Sequence, residues 1–173
     1  MFALIDCNNF YVSCERVFQP QFDKKPVVVL SNNDGCVISR SNEAKALEIP
    51  MGAAAFKYKN QFKKYNIKVF SSNYALYGDM SRRVMSILES YSPNIEIYSI
   101  DEAFLKLTSF DNLDITEESY KIKKQIYQWT GIPVSIGLAP SKSLAKIANK
   151  IAKKFNHQTL GVYSLDSQEK INK

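Results

Sequence analysis

The sequence predicts an α+β fold: a ferredoxin-like (split βαβ) antiparallel sheet with helices on one face, carrying an inserted small α/β subdomain. Three observations predict it. Outside residues 20–68 the patterns run strand, helix, strand, strand, helix, strand, helix, which is close to the split βαβ order. Residues 20–68 hold short elements of their own, so they read as an insertion into a platform made of 1–19 and 69–173. The 173 residues, 45% hydrophobic, suffice for a buried core, and no apolar run approaches the ~18 residues of a membrane span.

Each element has its own signal. Residues 2–5 form an apolar strand that ends at Asp6. Residues 8–18 read as a helix that Asn8 or Asn9 can cap and Pro20 stops. The β-branched run 26–30, the turn Ser31-Asn-Asn-Asp-Gly35 and residues 36–39 make a hairpin. Ser41 caps a short helix, 42–48, broken by Pro50 and Gly52; a helix over 55–65 and a short strand over 67–71 follow. Leu76, Met80, Val84, Ile87 and Leu88 recur at helical spacing within 74–91, before Ser92-Pro93. Residues 95–100 and 103–107 are strands with Asp101 and Glu102 between them. A helix over 116–130 closes at Gly131, and 134–138 is a strand. The lysine-rich helix 141–155 turns Leu144, Ile147, Ala148 and Ile151 inward, and 161–164 is a last strand.

Composition excludes several chemistries. Cys7, Cys14 and Cys36 form no C-x-x-C pair, which argues against a disulfide framework and a structural zinc site. The single histidine, His157, makes a nucleophile–histidine triad improbable. The start lacks a basic n-region and its apolar stretch is short, so a cytoplasmic protein is expected. Chemistry therefore falls to carboxylates, lysines, tyrosines or a hard metal.

Charge is unevenly spread behind a net +6. From Arg40 to Arg83 there are nine basic residues against three acids; from Glu89 to Glu118, eight acids against one lysine; from Lys142 to Lys154, five lysines and no acid. Basic blocks around an acidic centre suit a grip on phosphates around a metal-binding cluster, although lysine-rich helices are also ordinary solvated faces.

Asp6 closes the first strand, and Asp101 and Glu102 sit at the hairpin bend. In a ferredoxin-like sheet the hairpin's first strand is expected beside the first strand of the chain, so the three carboxylates are expected to converge on one end, and such a cluster suits Mg²⁺. A strand-end Asp is commonly a turn residue and a bend Asp-Glu commonly solvated. Here, however, Tyr98-Ser-Ile100 and Ala103-Phe-Leu105 supply no Gly, Pro or Asn for a surface turn. Asp111, Asp114, Glu117 and Glu118 lack such a frame and read as surface.

Four segments then carry a resemblance: Asp6-Cys-Asn-Asn-Phe-Tyr-Val-Ser-Cys-Glu15, Lys25-Pro-Val-Val-Val29, Tyr98-Ser-Ile-Asp-Glu-Ala-Phe104 and Pro140-Ser-Lys-Ser-Leu-Ala-Lys-Ile-Ala148. In this order they resemble the N-terminal motifs of Y-family translesion DNA polymerases. Leu30-Ser-Asn-Asn-Asp-Gly-Cys-Val-Ile38 and Phe70-Ser-Ser-Asn-Tyr74 narrow the likeness to the UmuC-like branch.

The resemblance implies a palm (1–19 and 69–173), a fingers subdomain (20–68), and thumb and little-finger domains that this chain does not include. It implies two Mg²⁺ ions, replaceable by Mn²⁺, on Asp6, Asp101, Glu102 and the backbone carbonyl of Cys7. Phe10 and Tyr11 fall under the incoming nucleotide, Tyr11 at the steric gate against a ribose 2′-OH; ordinary helix packing accounts for both as well. Lys142 and Lys45 match triphosphate cations. Many relatives carry Tyr and Arg where this chain has Asn42 and Lys45, so the nucleotide-binding roles of Ser39 and Asn42 stay open. Cys36, Val37 and Ile38 match the strand over the nascent base pair, although hairpin packing explains them equally. Lys146, Lys150, Lys153 and Lys154 read as DNA-backbone contacts or, more simply, a solvated face.

The implied activity is template-directed transfer of a dNTP to a primer 3′-OH in SOS-type DNA repair, weak or absent without the missing domains. Implied partners are primer–template DNA, dNTP, a UmuD-like subunit and the RecA filament, with no membrane. A nucleotide cyclase and a non-catalytic nucleic-acid or partner-binding remnant of a palm remain as alternatives.

Overall fold

Strand β1 (Phe2–Cys7) is buried from Ala3 onward, so it takes the middle of a sheet. The computed structural model describes residues 1–107 and 115–166; Asp111 and Asp114 lie outside them. The sheet has the order β5 (Ile95–Ile97), β6 (Glu102–Lys106), β1, β7 (Val134–Ala139), β8 (Val162–Ser164). β1 pairs antiparallel with both β6 and β7, and β8 adds parallel to β7. Without β8 this is the strand order of the split βαβ fold.

One expectation is corrected here. The neighbour of β1 is β6, the second strand of the hairpin, and β5 lies at the edge. Burial explains the choice. Ala103, Phe104 and Leu105 are buried in sequence, which suits a central strand, whereas Glu96 and Ile97 of β5 are exposed.

Helix α6 (Lys142–Lys154) is capped by Ser141, whose hydroxyl accepts from the Leu144 amide, and it packs across β7 and β1. Its buried stripe is Ala145, Ala148, Asn149 and Ala152, while Ile147 is 52% exposed and Leu144 and Ile151 are half-buried. This departs from the large aliphatic stripe expected. The reason is how closely helix and sheet approach: a Cβ on Gly137 of β7 would stand 2.2 Å from the Asn149 backbone nitrogen and 2.3 Å from the Ala145 carbonyl oxygen. At that separation the helix presents alanines and the Asn149 amide to the sheet rather than large aliphatics. The buried Asn149 amide is satisfied, donating to the carbonyls of Leu4 (3.2 Å) and Ser135 (2.8 Å). α5 (Ile115–Thr130) packs on β7 and β8.

Two compact units divide the chain, one of Met1–Asn8 with Met80–Lys173 and one of Asn9–Asp79. The second contains α1 (Phe10–Phe18), a 3-10 turn at Pro20–Phe22, and a three-stranded sheet. In that sheet β2 (Val27–Leu30) pairs antiparallel with β3 (Val37–Arg40), the expected hairpin, and parallel with β4 (Lys68–Phe70). α2 (Asn42–Ala46) and α3 (Ala55–Lys64) complete its core through Ala44 and Phe62. The Ser41 hydroxyl caps α2 and also accepts from the Val27 amide. α4 (Tyr74–Glu89) runs through the division between the units.

Gly137→Ala is expected to destabilise the protein by about 3 kcal/mol, because the added methyl meets helix backbone that cannot yield locally. A fall in the urea midpoint at constant m-value checks it.

Candidate active site

The β1–β6 register sets Asp6 directly opposite Glu102. Opposed residues of an antiparallel pair project from the same face, so the two carboxylates are neighbours. Asp6 is only 8% exposed. Lys153, in the last turn of α6, brings its Nζ to 2.5 Å from Asp6 Oδ1. Burial raises the Asp6 carboxyl, and the hydrogen bond and like charge of Glu102 raise it further. Together they outweigh the Lys153 ammonium and push it up to about 6.

Asp101 precedes β6 and is held by backbone and hydroxyl. Its carbonyl accepts from the Cys7 amide at 2.9 Å, and its Oδ1 accepts from the Ser99 hydroxyl at 2.7 Å. Ser99 Oγ also accepts from the Glu102 amide, so this serine shapes the bend where no Gly, Pro or Asn is available. Among the described residues no group of three or more His, Cys, Asp or Glu side chains is gathered closely enough to hold a metal ion. The donor chemistry nevertheless fits a hard divalent cation. Two opposed carboxylates, one nearly buried and already drawing an ammonium, present oxygen ligands whose mutual repulsion a cation relieves.

Lys153 is the residue that sequence reasoning grouped with a solvated face. A topological signal was available: β7 runs antiparallel to β1, so the helix after β7 starts near Phe2 and carries its last turn back toward Asp6. The same geometry sets Lys142 at the other end of the helix. It opens α6 eleven residues before Lys153, about 16 Å away along the axis. Its ammonium pairs with Glu96 and lies 5.9 Å from the Phe2 ring centroid, so the structure does not bring it to the carboxylates. Lys142 instead lines a cavity of about 240 Å³ with Glu96, Tyr98, Phe104, Ser143 and Lys146.

In the second unit Phe10 is buried, and the Tyr11 ring stacks on Tyr77 with centroids 4.4 Å apart and planes at 17°. Tyr74 meets both tyrosines edge-on, at 6.2 Å from Tyr11 and 6.1 Å from Tyr77. The Tyr77 hydroxyl donates to buried Glu15 at 2.8 Å. Burial first, and then that bond, hold the phenol protonated well above the usual tyrosine range.

Asn9, Asn42 and Lys45 are brought together: Lys45 Nζ donates to Asn9 Oδ1 at 2.5 Å, and Asn9 Nδ2 donates to Asn42 Oδ1 at 3.0 Å. Asn9 is left-handed (φ 49°) and makes no side-chain cap to α1, contrary to expectation, because its amide is spent on these partners. The buried Ser39 hydroxyl accepts, at 3.5 Å, from the Val12 amide in the first turn of α1. Cys36 and Ile38 are half-buried around Val37, with Cys36 bridged to Ala54.

Because Asp6 ionises less readily folded than unfolded (ordinary value 3.8, folded about 6), its stabilising contribution is complete below pH 3.8 and is lost as pH rises through 6. In chelator, Asp6→Asn is therefore expected to stabilise the protein by on the order of 2 kcal/mol at pH 8, and hardly at all at pH 4. Urea midpoints at the two pH values measure this.

Residues 5–150 match the model of the impB/mucB/samB family. The chain is 52% identical over 168 residues to UmuC of Salmonella typhimurium, covering 96% of this chain and 40% of that protein. Among solved structures it superposes on DinB from Sulfolobus solfataricus with a TM-score of 0.83 at 30% identity, covering 98% of this chain and 49% of that one. An insertion ternary complex of Dbh DNA polymerase gives the same TM-score, 0.83, at 30% identity, covering 99% and 50% respectively. The chain thus spans about 40% of the length of the curated relatives it matches. Among the described residues no helix is long and apolar enough to cross a membrane.

Proposed function

This chain belongs to the impB/mucB/samB family of Y-family polymerases, and on that premise we propose that it forms the palm (1–19 and 69–173) and fingers (20–68) of a translesion DNA polymerase. The reaction is attack of a primer 3′-OH on the α-phosphate of a dNTP, forming one P–O bond and releasing pyrophosphate. The observation that carries the reading is the opposed pair Asp6 and Glu102 with the Lys153 ammonium drawn against it.

Asp6, Glu102, Asp101 and the carbonyl of Cys7 would hold divalent ions, of which Mg²⁺ is proposed and Mn²⁺ is a substitute. Held there, such ions would supply charge neutralisation at phosphate and a lowered pKa for a hydroxyl. Lys153 serves as a phosphate cation at the same end of β1. Its point charge follows an oxyanion without the geometric demand of an arginine fork. Lys45, oriented by Asn9 and Asn42, supplies a second cation from the fingers. Tyr11, fixed by its stack on Tyr77, stands as the gate that excludes a ribose 2′-OH. Cys36 and Ile38 line the template side. Partners on this reading are primer–template DNA, a UmuD-like subunit and a RecA filament, in the cytoplasm.

The test is nucleotide binding read as stability. With Mg²⁺ and dATP at 100 times its dissociation constant, the chain is expected to gain about 2.7 kcal/mol. Asp6→Asn and Glu102→Gln should abolish the gain, and Lys153→Ala should weaken dATP about tenfold. A full gain in Asp6→Asn sinks the metal assignment. Tyr11→Ala should raise the affinity for ATP relative to dATP, and an unchanged ratio removes the gate. DNA binding indifferent to Mg²⁺ and nucleotide, with no gain in the parent chain, points to a non-catalytic remnant.

A further inference from the structure

Helix α3 has a face that this reaction does not use. Its inward side is Phe62, with Tyr58 and Ala55 packed on the core of the second unit. At about 100° per residue, Phe56, Lys57, Asn60, Lys63 and Lys64 fall about 100° or more from Phe62, and Lys59 lies on the flank about 60° from it. All six are exposed, and Phe56 is 77% exposed.

The charge on this face is uncompensated. Between Glu48 and Asp79 the sequence has five lysines and no acid. Among the described residues none of Lys57, Lys59, Lys63 and Lys64 makes an ion pair, whereas Lys121, Lys142 and Lys153 each pair with a carboxylate. Two of the four lie against aromatic rings instead, Lys57 at 5.9 Å from the Phe56 centroid and Lys64 at 5.1 Å from that of Tyr65.

A polyanion is the partner such a face fits, and the ring decides which kind. Duplex phosphates would satisfy the lysines and leave Phe56 in water. A single strand offers phosphates to the lysines and an unstacked base to the ring. We infer that the outward face of α3 binds single-stranded DNA, with Lys57, Lys59, Lys63 and Lys64 on the backbone and a base stacked on Phe56. This site needs neither divalent metal nor nucleotide, so it stands apart from the proposed catalytic centre.

The test is fluorescence anisotropy of labelled oligo-dT, and of a duplex of equal length, titrated with the chain in chelator. Phe56→Ala should weaken oligo-dT binding about tenfold and duplex binding little. Phe56→Trp should retain it. Lys59→Ala with Lys63→Ala should weaken both ligands and reduce the log–log salt slope for oligo-dT by about 1.4. The substituted side chains are exposed, so melting temperatures should stay at the parent value. Parent-like oligo-dT binding by both variants would overturn the site. An equal loss for duplex and single strand in Phe56→Ala would overturn the single-strand assignment and leave a phosphate patch.

Discussion

Asp6 carries its charge into a nearly buried position, and the register of its strand places a second carboxylate directly across from it. Water cannot disperse the repulsion there, so the fold must supply a positive charge or leave one acid protonated. It does some of each: the raised Asp6 carboxyl holds its proton to about pH 6, and Lys153 reaches it from the end of α6. That reach depends on how closely α6 lies on the sheet. The approach depends in turn on Gly137 and the alanine stripe. A single electrostatic demand thus ties together a strand register, a glycine and the course of a helix.

The gate side of the proposed site obeys a different logic. Tyr11 is set by surfaces, through a stack on Tyr77 and the edge of Tyr74, with one buried hydrogen bond from Tyr77 to Glu15 fixing the supporting ring. An aromatic plane held in this way excludes a substituent by shape, at little electrostatic cost. On the proposed reading, charge would handle the phosphates and shape the sugar.

Much of this was legible in the sequence. The strand and helix positions follow from short-range periodicity and from Pro, Gly and Ser punctuation, and they agree with the structure to within a few residues. Asp101 and Glu102 stood out because an acid pair in an apolar frame needs a reason, and Asp6 because it closes an apolar first strand. What escaped depends on distance along the chain. Which hairpin strand borders β1 is settled by relative burial across the whole sheet. The inward stripe of α6 was misjudged because periodicity favours large aliphatics, while the close approach that suits alanine and one asparagine is imposed by a glycine on another element. Lys153 was hidden among identical lysines until the direction of α6 was known. Tyr77 lies 66 residues from Tyr11, and no local pattern links the two.

The Lys153–Asp6 pair also separates assembly from loading. A site made of bare carboxylates would fold poorly until an ion arrived, and its stability would track metal concentration, as in small domains that fold only on metal. Here an ammonium already sits against Asp6, so the pair is in place without an ion. On the proposed reading an arriving cation would compete with this tethered one, its apparent affinity lowered by the cost of parting the pair. The ammonium so freed would lie beside the new charge, and an anionic ligand would balance it. Metal and phosphate would then each favour the other's loading through one side chain.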